Sequence, residues 1–124
     1  MNTSAKEQAK IAIGAINDAF ATLPPFSKTQ VSLRFEYPGL APTIVPVILL
    51  KGEADWPRMW IQAAIHGDEY DGAIACHRMA QELDLHELNG TLIMIPLTNP
   101  SAFFAYQHGS PYDGNINLNR VFCE

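Results

Sequence analysis

Residues 59–72, with the sequence MWIQAAIHGDEYDG, decide the fold of this chain. Residues 59–65 are a short apolar run without a polar face, which predicts a strand covered on both sides. Residues 71–85 then place apolar side chains at helical spacing, beginning with an acidic residue that suits the first turn. A second apolar run, residues 91–97, follows the turn signal Asn89-Gly90. Strand, helix and strand of these lengths predict a βαβ crossover with two parallel strands, and therefore an α/β fold.

The residues before this unit predict one more helix and two more strands. Residues 3–23 repeat apolar side chains every three or four positions, as an amphipathic helix does. Residues 30–37 alternate apolar and polar side chains, which predicts a half-buried strand, and residues 43–50 are apolar on both faces. Pro46 lies inside this last strand and indicates a sheet edge or a bulge on one side. We predict one α/β unit of residues 1–124 with a mixed sheet flanked by helices.

Composition and charge limit the function. With 48% hydrophobic and 17% charged residues among 124, the chain has the composition of one globular domain. The formal net charge is −5 and the eight Lys and Arg are scattered, which argues against a nucleic acid partner. The apolar run at residues 11–16 is too short for a signal sequence or a membrane span, so we predict a cytoplasmic protein without a membrane partner. Cys76 and Cys123 lack the spacing of a disulfide framework, and Cys76 is interpreted as a buried small hydrophobe.

The motif at residues 66–69 has the chemistry of a metal site. Ligands of α/β proteins lie beyond the carboxyl ends of the strands, and His66 is one residue past the predicted strand. Gly67 permits a sharp turn, and Glu69 is expected on the opening turn of the helix, so the two side chains can converge. A neutral imidazole and a carboxylate are ligands that zinc accepts. The alternative is that Asp68 and Glu69 stabilise a helix N-terminus while His66 makes a surface hydrogen bond.

Three segments together resemble the succinylglutamate desuccinylase and aspartoacylase branch of the zinc carboxypeptidase superfamily. They are residues 66–72, HGDEYDG, residues 89–102, NGTLIMIPLTNPSA, and residues 110–122, SPYDGNINLNRVF. Their order and spacing match the family over residues 59–122. The resemblance implies the N-terminal half of a zinc carboxypeptidase-like fold, with the C-terminal part of the catalytic domain absent from this sequence.

The resemblance also implies an activity and a set of site residues. His66 and Glu69 would be two of three protein ligands of a catalytic Zn²⁺. Asn119 and Arg120 would bind the carboxylate of the substrate, as a planar guanidinium does with two parallel hydrogen bonds. Asn117 stands where many relatives have an aspartate that steadies this loop. Such enzymes use a zinc-activated water to cleave an amide, which implies a deacylase of N-acyl amino acids or a carboxypeptidase-like amidase for a peptide-like substrate.

The sequence departs from the family in the remaining catalytic groups. The resemblance puts the second histidine ligand and the general-base glutamate beyond residue 124. His77 and His86 are poor substitutes, because one is on the body of the predicted helix and the other is at its far end. We interpret both as solvent-facing or capping residues. Relatives place an arginine near position 108 to polarise the scissile carbonyl, and His108 is the candidate catalytic replacement. Asn99-Pro100 is interpreted as a structural turn.

Three hypotheses remain open from the sequence. In the first, the chain is the zinc-binding part of a metallo-deacylase and is incomplete alone. In the second, it is a non-catalytic module that pairs with a partner chain through an exposed sheet edge, because a sheet cut at this point leaves strand edges without cover. In the third, two copies assemble and His108 of one copy completes the site of the other.

Overall fold

A computed structural model describes residues 4–121 of the chain. Its helices and strands follow in the order α1 Ala5–Thr22, β1 Ser27–Phe35, β2 Thr43–Lys51, β3 Arg58–Gln62, α2 Asp71–Glu82, β4 Thr91–Ile95, α3 Pro100–Phe104 and a 3-10 turn Leu118–Arg120. Among the residues described, none of the helices combines the length and hydropathy of a membrane span.

The four strands form one mixed sheet in the order β1-β2-β4-β3. β2 runs antiparallel to both of its neighbours, whereas β3 and β4 are parallel. α2 connects these two parallel strands, which confirms the predicted βαβ crossover. Because β3 and β4 are parallel, the segments that follow them leave the sheet at the same edge and can contribute to one site.

The core lies on both faces of the sheet, so the prediction of a mixed α/β fold flanked by helices is confirmed. On one face, Ile16 and Phe20 of α1 pack against Val47 and Leu49 of β2. On the other face, Cys76 of α2 packs in a cluster with side chains of β2, β3 and β4. Each fully buried aliphatic side chain contributes roughly 1.5 to 3 kcal/mol relative to an exposed one.

Two predictions about local environment are confirmed. Pro46 lies in a section of β2 that pairs with β1 on one side only, because β4 pairs with β2 only from Ile48 onward. Cys76 is buried and 3% exposed, as predicted for a small hydrophobe. Cys123 lies outside the described residues.

β1 begins at Ser27, three residues earlier than predicted, and α2 ends at Glu82 rather than Leu85.

The departure that bears on the site is at the end of β3, which stops at Gln62 instead of Ile65. Ala64 adopts a positive φ of 51°, which turns the backbone out of the strand direction. The carbonyls of Ala63 and Ala64 accept hydrogen bonds from the N–H groups of Thr98 and Asn99, at 2.9 and 3.1 Å. These contacts hold the outgoing chain against the segment that follows β4. His66 is therefore four residues beyond the strand, not one.

Candidate metal centre

The turn after β3 brings the two predicted metal ligands together. His66 Nδ1 is 3.1 Å from Glu69 Oε1, and the N–H of Glu69 donates to the carbonyl of His66 at 3.4 Å. Glu69 precedes α2, which begins at Asp71, so the prediction that it lies within the first turn of the helix was wrong. The tight turn itself, rather than helical spacing, makes the imidazole and the carboxylate converge.

Gly67 is required by the close approach of α3. A Cβ atom at this position would lie 2.1 Å from the carbonyl carbon of Ala102, well inside van der Waals contact. Ala102 is fully buried, so its backbone has no space to move away. The turn that carries His66 is consequently seated against α3.

Asn99 fixes the same turn through hydrogen bonds. Its side-chain oxygen accepts from the N–H of Ala102 at 3.3 Å and so caps α3, which begins at Pro100. Its side-chain amide donates to the carbonyl of Ile65 at 3.3 Å. Asn99-Pro100 was predicted to be a structural turn; the pair instead begins the helix α3, and the Asn99 side chain is occupied with backbone partners on both sides.

Residues 108–120, which we call the site loop, bring further groups to the turn. The loop has no periodic apolar pattern and takes its shape from short-range polar contacts. Asn115 Oδ1 accepts from the N–H of Gly109 at 2.9 Å, and Asp113 Oδ1 accepts from the N–H of Ile116 at 3.1 Å. Ser110 is buried and its hydroxyl is 2.9 Å from that of Ser101 in α3. These contacts place Asn117 beside His66.

Asn117 determines which nitrogen of His66 carries hydrogen. Asn117 Oδ1 accepts from the N–H of Asn119 at 3.0 Å, and a backbone N–H can only donate, which identifies this atom as the oxygen. The same oxygen is 2.8 Å from His66 Nε2. The Nε2 atom must therefore donate, and in a neutral ring the lone pair is on Nδ1, facing the Glu69 carboxylate. Two electron-rich atoms at this distance require a positive charge between them, either a proton or a metal ion.

The protonation of His66 follows from the same contacts. The hydrogen bond with Asn117, followed by that with Glu69, raises the pKa of the His66 imidazole above its ordinary value, and burial opposes the shift. The nearby charges of Glu69 and Asp68 also favour the imidazolium. A metal ion at this position would compete with a proton for Nδ1.

His108 lies directly over His66. The two rings stack with centroids 3.6 Å apart and an angle of 18° between their planes. His108 Nδ1 is 3.2 Å from Asp68 Oδ1, and the carbonyl of His108 accepts from the N–H of Gly67 at 3.3 Å. Sequence reasoning had identified His108 but missed Asp68 as its partner, because 40 residues separate them and no local pattern links the two.

The remaining predicted site residues form the end of the site loop. Asn119 and Arg120 lie in the 3-10 turn that Asn117 caps, and both are exposed. The guanidinium of Arg120 donates to the carbonyl of Asn119 at 3.4 Å and makes no ion pair within residues 4–121. Their assignment to the substrate carboxylate stays a prediction. His77 and His86 are exposed on and after α2, and His86 stacks on Phe26 at 4.2 Å.

The donor set fits part of a zinc site. Zinc takes nitrogen and oxygen ligands at about 2.0 to 2.2 Å in tetrahedral geometry, so two of its donors lie roughly 3.3 to 3.6 Å apart. The separation of 3.1 Å between His66 Nδ1 and Glu69 Oε1 is close to that range. Within residues 4–121 no group of three or more His, Cys, Asp or Glu side chains could hold a metal ion. The described residues thus offer two donors of the three that catalytic zinc usually has.

Comparison with known proteins agrees with the fold. The model of the succinylglutamate desuccinylase/aspartoacylase catalytic domain matches residues 55–124, more than half of the chain. This range includes β3, the turn with His66 and Glu69, and the site loop. The chain belongs to this family.

Individual relatives support the same assignment. An N-alpha-acetyl-L-2,4-diaminobutyric acid deacetylase from Halomonas elongata is 34% identical over 79 residues, which are 64% of this chain and 22% of that protein. The product-bound ectoine utilization protein EutE (DoeB) from Ruegeria pomeroyi superposes with a TM-score of 0.67 and 31% identity, over 82% of this chain and 32% of that one. An aspartoacylase family protein from Mesorhizobium loti gives 0.69 and 30%, over 82% and 31%. The chain spans about a third or less of each relative.

Proposed function

We propose that residues 1–124 form the N-terminal part of the catalytic domain of a zinc-dependent hydrolase that cleaves the amide bond of N-acyl amino acids. The observation that supports this most directly is the arrangement around His66. Asn117 requires a hydrogen on Nε2, so the Nδ1 lone pair faces a carboxylate oxygen at 3.1 Å. A divalent cation satisfies both atoms at once.

In this proposal His66 and Glu69 are two zinc ligands, and the third ligand and the general base come from polypeptide outside residues 4–121. Zinc, when bound, would supply a Lewis acid that polarises the amide carbonyl and activates water. Asn119 and Arg120 bind the substrate carboxylate. The exposed guanidinium of Arg120, without an ion pair in the described part of the chain, supports this role.

His108 is proposed to act on the scissile amide. Its ring is held over His66 by stacking and by Asp68, so it stands next to the position where a carbonyl would be polarised. The substrate class is proposed from the relative that is named as a deacetylase of an N-acetylated diamino acid. A small N-acyl amino acid has the two features that this arrangement would recognise, an amide carbonyl and a carboxylate.

Zinc binding by the purified chain tests the proposal. We expect zinc to bind weakly, as two protein ligands allow, and His66→Ala or Glu69→Gln to abolish measurable binding in calorimetry. His77→Ala is the matched control, since it removes an exposed histidine of α2 and should leave binding unchanged. Zinc binding that survives His66→Ala and is lost in His77→Ala would overturn the ligand assignment.

Hydrolysis tests whether the chain is incomplete alone. We expect no turnover of N-acetyl amino acids by the purified chain. We expect turnover once the part of the Halomonas deacetylase that lies beyond its matched segment is supplied as a second polypeptide. Full turnover by this chain without a partner would contradict the proposed division of the site.

One observation favours a second candidate function, a non-catalytic module that pairs with a partner chain. β3 is an edge strand of the sheet, and Trp56, Met59 and Trp60 beside that edge are 67%, 62% and 48% exposed. Exposed apolar edge strands are sites of strand addition. If this is the function, a partner should bind with the same affinity after His66→Ala and Glu69→Ala, and the complex should contain no zinc.

A further inference from the structure

The side chain of Asn117 lies between the two stacked histidines and contacts both. Its Oδ1 is 2.8 Å from His66 Nε2, and its Nδ2 is 3.4 Å from His108 Nε2. One amide therefore serves two imidazoles, with its acceptor directed at one ring and its donor at the other.

The direction of every hydrogen bond in this group can be derived. The N–H of Asn119 identifies Oδ1 as the acceptor, so the other atom of the amide is the NH₂ donor. An imidazole nitrogen that accepts from this donor has no hydrogen, so a neutral His108 carries its hydrogen on Nδ1. That atom is 3.2 Å from Asp68 Oδ1, which is an acceptor. The donors therefore follow one direction, from His66 through Asn117 and His108 to the acceptor Asp68.

We propose that Asn117 is a positioning residue that sets the tautomers of both histidines, Nε2–H in His66 and Nδ1–H in His108. For His66 the consequence rests on the proposed function, because the tautomer directs the Nδ1 lone pair at the position assigned to zinc. For His108 the consequence is that Nε2 is its basic atom. Asn117 would thus orient both the proposed zinc ligand His66 and the candidate catalytic residue His108, and so link metal binding to the ring beside it.

Asparagine is the residue type that this double role requires. Aspartate offers acceptor oxygens only, so it would keep the hydrogen bond from His66 and from the N–H of Asn119 but could not donate to His108 Nε2. Alanine would remove both contacts. Asn117→Asp and Asn117→Ala therefore separate the two halves of the proposal.

Long-range ¹H–¹⁵N NMR of the ring nitrogens tests the tautomers without activity or metal. The spectra are recorded on the zinc-free, uniformly ¹⁵N-labelled chain at a pH above the titration of its four histidines, and His→Gln variants assign the signals. We expect His66 to show a protonated Nε2 and an unprotonated Nδ1, and His108 the reverse. In Asn117→Asp we expect the His66 pattern to persist while His108 becomes a mixture of tautomers. In Asn117→Ala, His66 should shift toward Nδ1–H, which faces the Glu69 carboxylate, and His108 should lose part of its Nδ1–H population, because Asp68 alone then favours that tautomer.

The control signals are those of His77 and His86, which should not move in either variant. Opposite tautomers in the unmodified chain, or unchanged tautomers of both rings in Asn117→Ala, would overturn the proposal. If Asn117→Ala does not fold, Asp68→Ala tests the chain of donors from its other end, since Asp68 is exposed. It should reduce the Nδ1–H population of His108 and leave His66 protonated on Nε2 through Asn117, and loss of that His66 tautomer would count against the proposed order.

Zinc titration of the same variants distinguishes this inference from the proposed function. Loss of a residue that orients a metal-ligating histidine typically weakens metal binding about 10- to 100-fold. We expect that loss in Asn117→Ala and no loss in Asn117→Asp. Tautomers that respond as expected in a chain that binds no zinc would support the positioning role and refute the zinc site.

Discussion

β2 and the site loop are held in place by different forces. β2 is flanked by two strands, and Val47, Leu49 and Leu50 are fully buried within it. The site loop, residues 108–120, is mostly exposed and is held by individual hydrogen bonds of Asn and Ser side chains. Apolar burial is non-directional and tolerates changes that preserve volume. A hydrogen-bonded loop depends on single atoms, so its failure is local and specific.

The largest effect should follow from a cavity in β2. Leu49→Ala removes a fully buried side chain and should lower the free energy of unfolding by about 2 to 5 kcal/mol, as measured by urea denaturation. Leu40→Ala is the control, because this leucine is 47% exposed and its truncation should lower the free energy of unfolding much less. Equal losses of unfolding free energy in the two variants would contradict the distinction between the buried strand and the exposed loops.

A smaller but more local effect is expected at Gly67. Gly67→Ala forces a Cβ into the backbone of Ala102 and should destabilise the chain by about 1 to 3 kcal/mol. Gly14→Ala in α1 is the matched control, because nothing lies within 4 Å of the added Cβ, and it should stabilise by about 0.5 to 1 kcal/mol. Thermal unfolding of both variants measures the difference, and a neutral Gly67→Ala would mean that α3 is not seated against the turn.

Asn99→Ala should cost about 1 kcal/mol, since it removes the cap of α3. It also removes the hydrogen bond to the carbonyl of Ile65, which holds the turn before His66. We therefore expect NMR shift changes at His66 as well as the loss of stability. Asn89→Ala, at an exposed position before β4, should change neither. A loss of stability with unperturbed His66 signals would show that the cap and the site are independent.

The smallest effect should be the pH dependence of His66. The pKa of His66 is raised in the folded chain, so protonated His66 stabilises the folded, zinc-free chain. This stabilisation is fully present below the pKa of an unfolded histidine, about 6.5. That contribution is lost as the pH rises through the higher folded pKa. His66→Gln should remove this part of the pH profile of unfolding. Zinc affinity should change in the opposite sense and rise over the same interval, because the metal needs an unprotonated Nδ1.

The sequence was sufficient for the parts of the fold that depend on local pattern. Apolar runs and helical spacing predicted β2, the β3–α2–β4 unit and the burial of Cys76, because the same side chains that form the pattern fill the core. The approach of His66 and Glu69 was also predictable, since they are three positions apart and a glycine lies between them. Local spacing is enough when the partners are neighbours in the chain.

The rest depends on contacts that no local pattern encodes. β3 ends early because the backbone turns at Ala64, and hydrogen bonds from the segment after β4 hold the outgoing chain there. Asn117 reaches His66 across 51 residues, and Asp68 reaches His108 across 40. The family resemblance placed Asn117 where relatives have an aspartate that steadies this loop, but its two histidine partners follow only from the tertiary structure.

His66 and Asn117 are 51 positions apart in the sequence, and the chain between them includes the whole of α2 and β4. Bringing such distant positions together costs loop-closure entropy until the intervening chain has folded. We expect the stacked imidazoles to assemble late, after the strands have paired, so that substitutions there accelerate unfolding and leave the refolding rate unchanged. Protein folding order and the timing of metal capture would then be set by the same long-range contact.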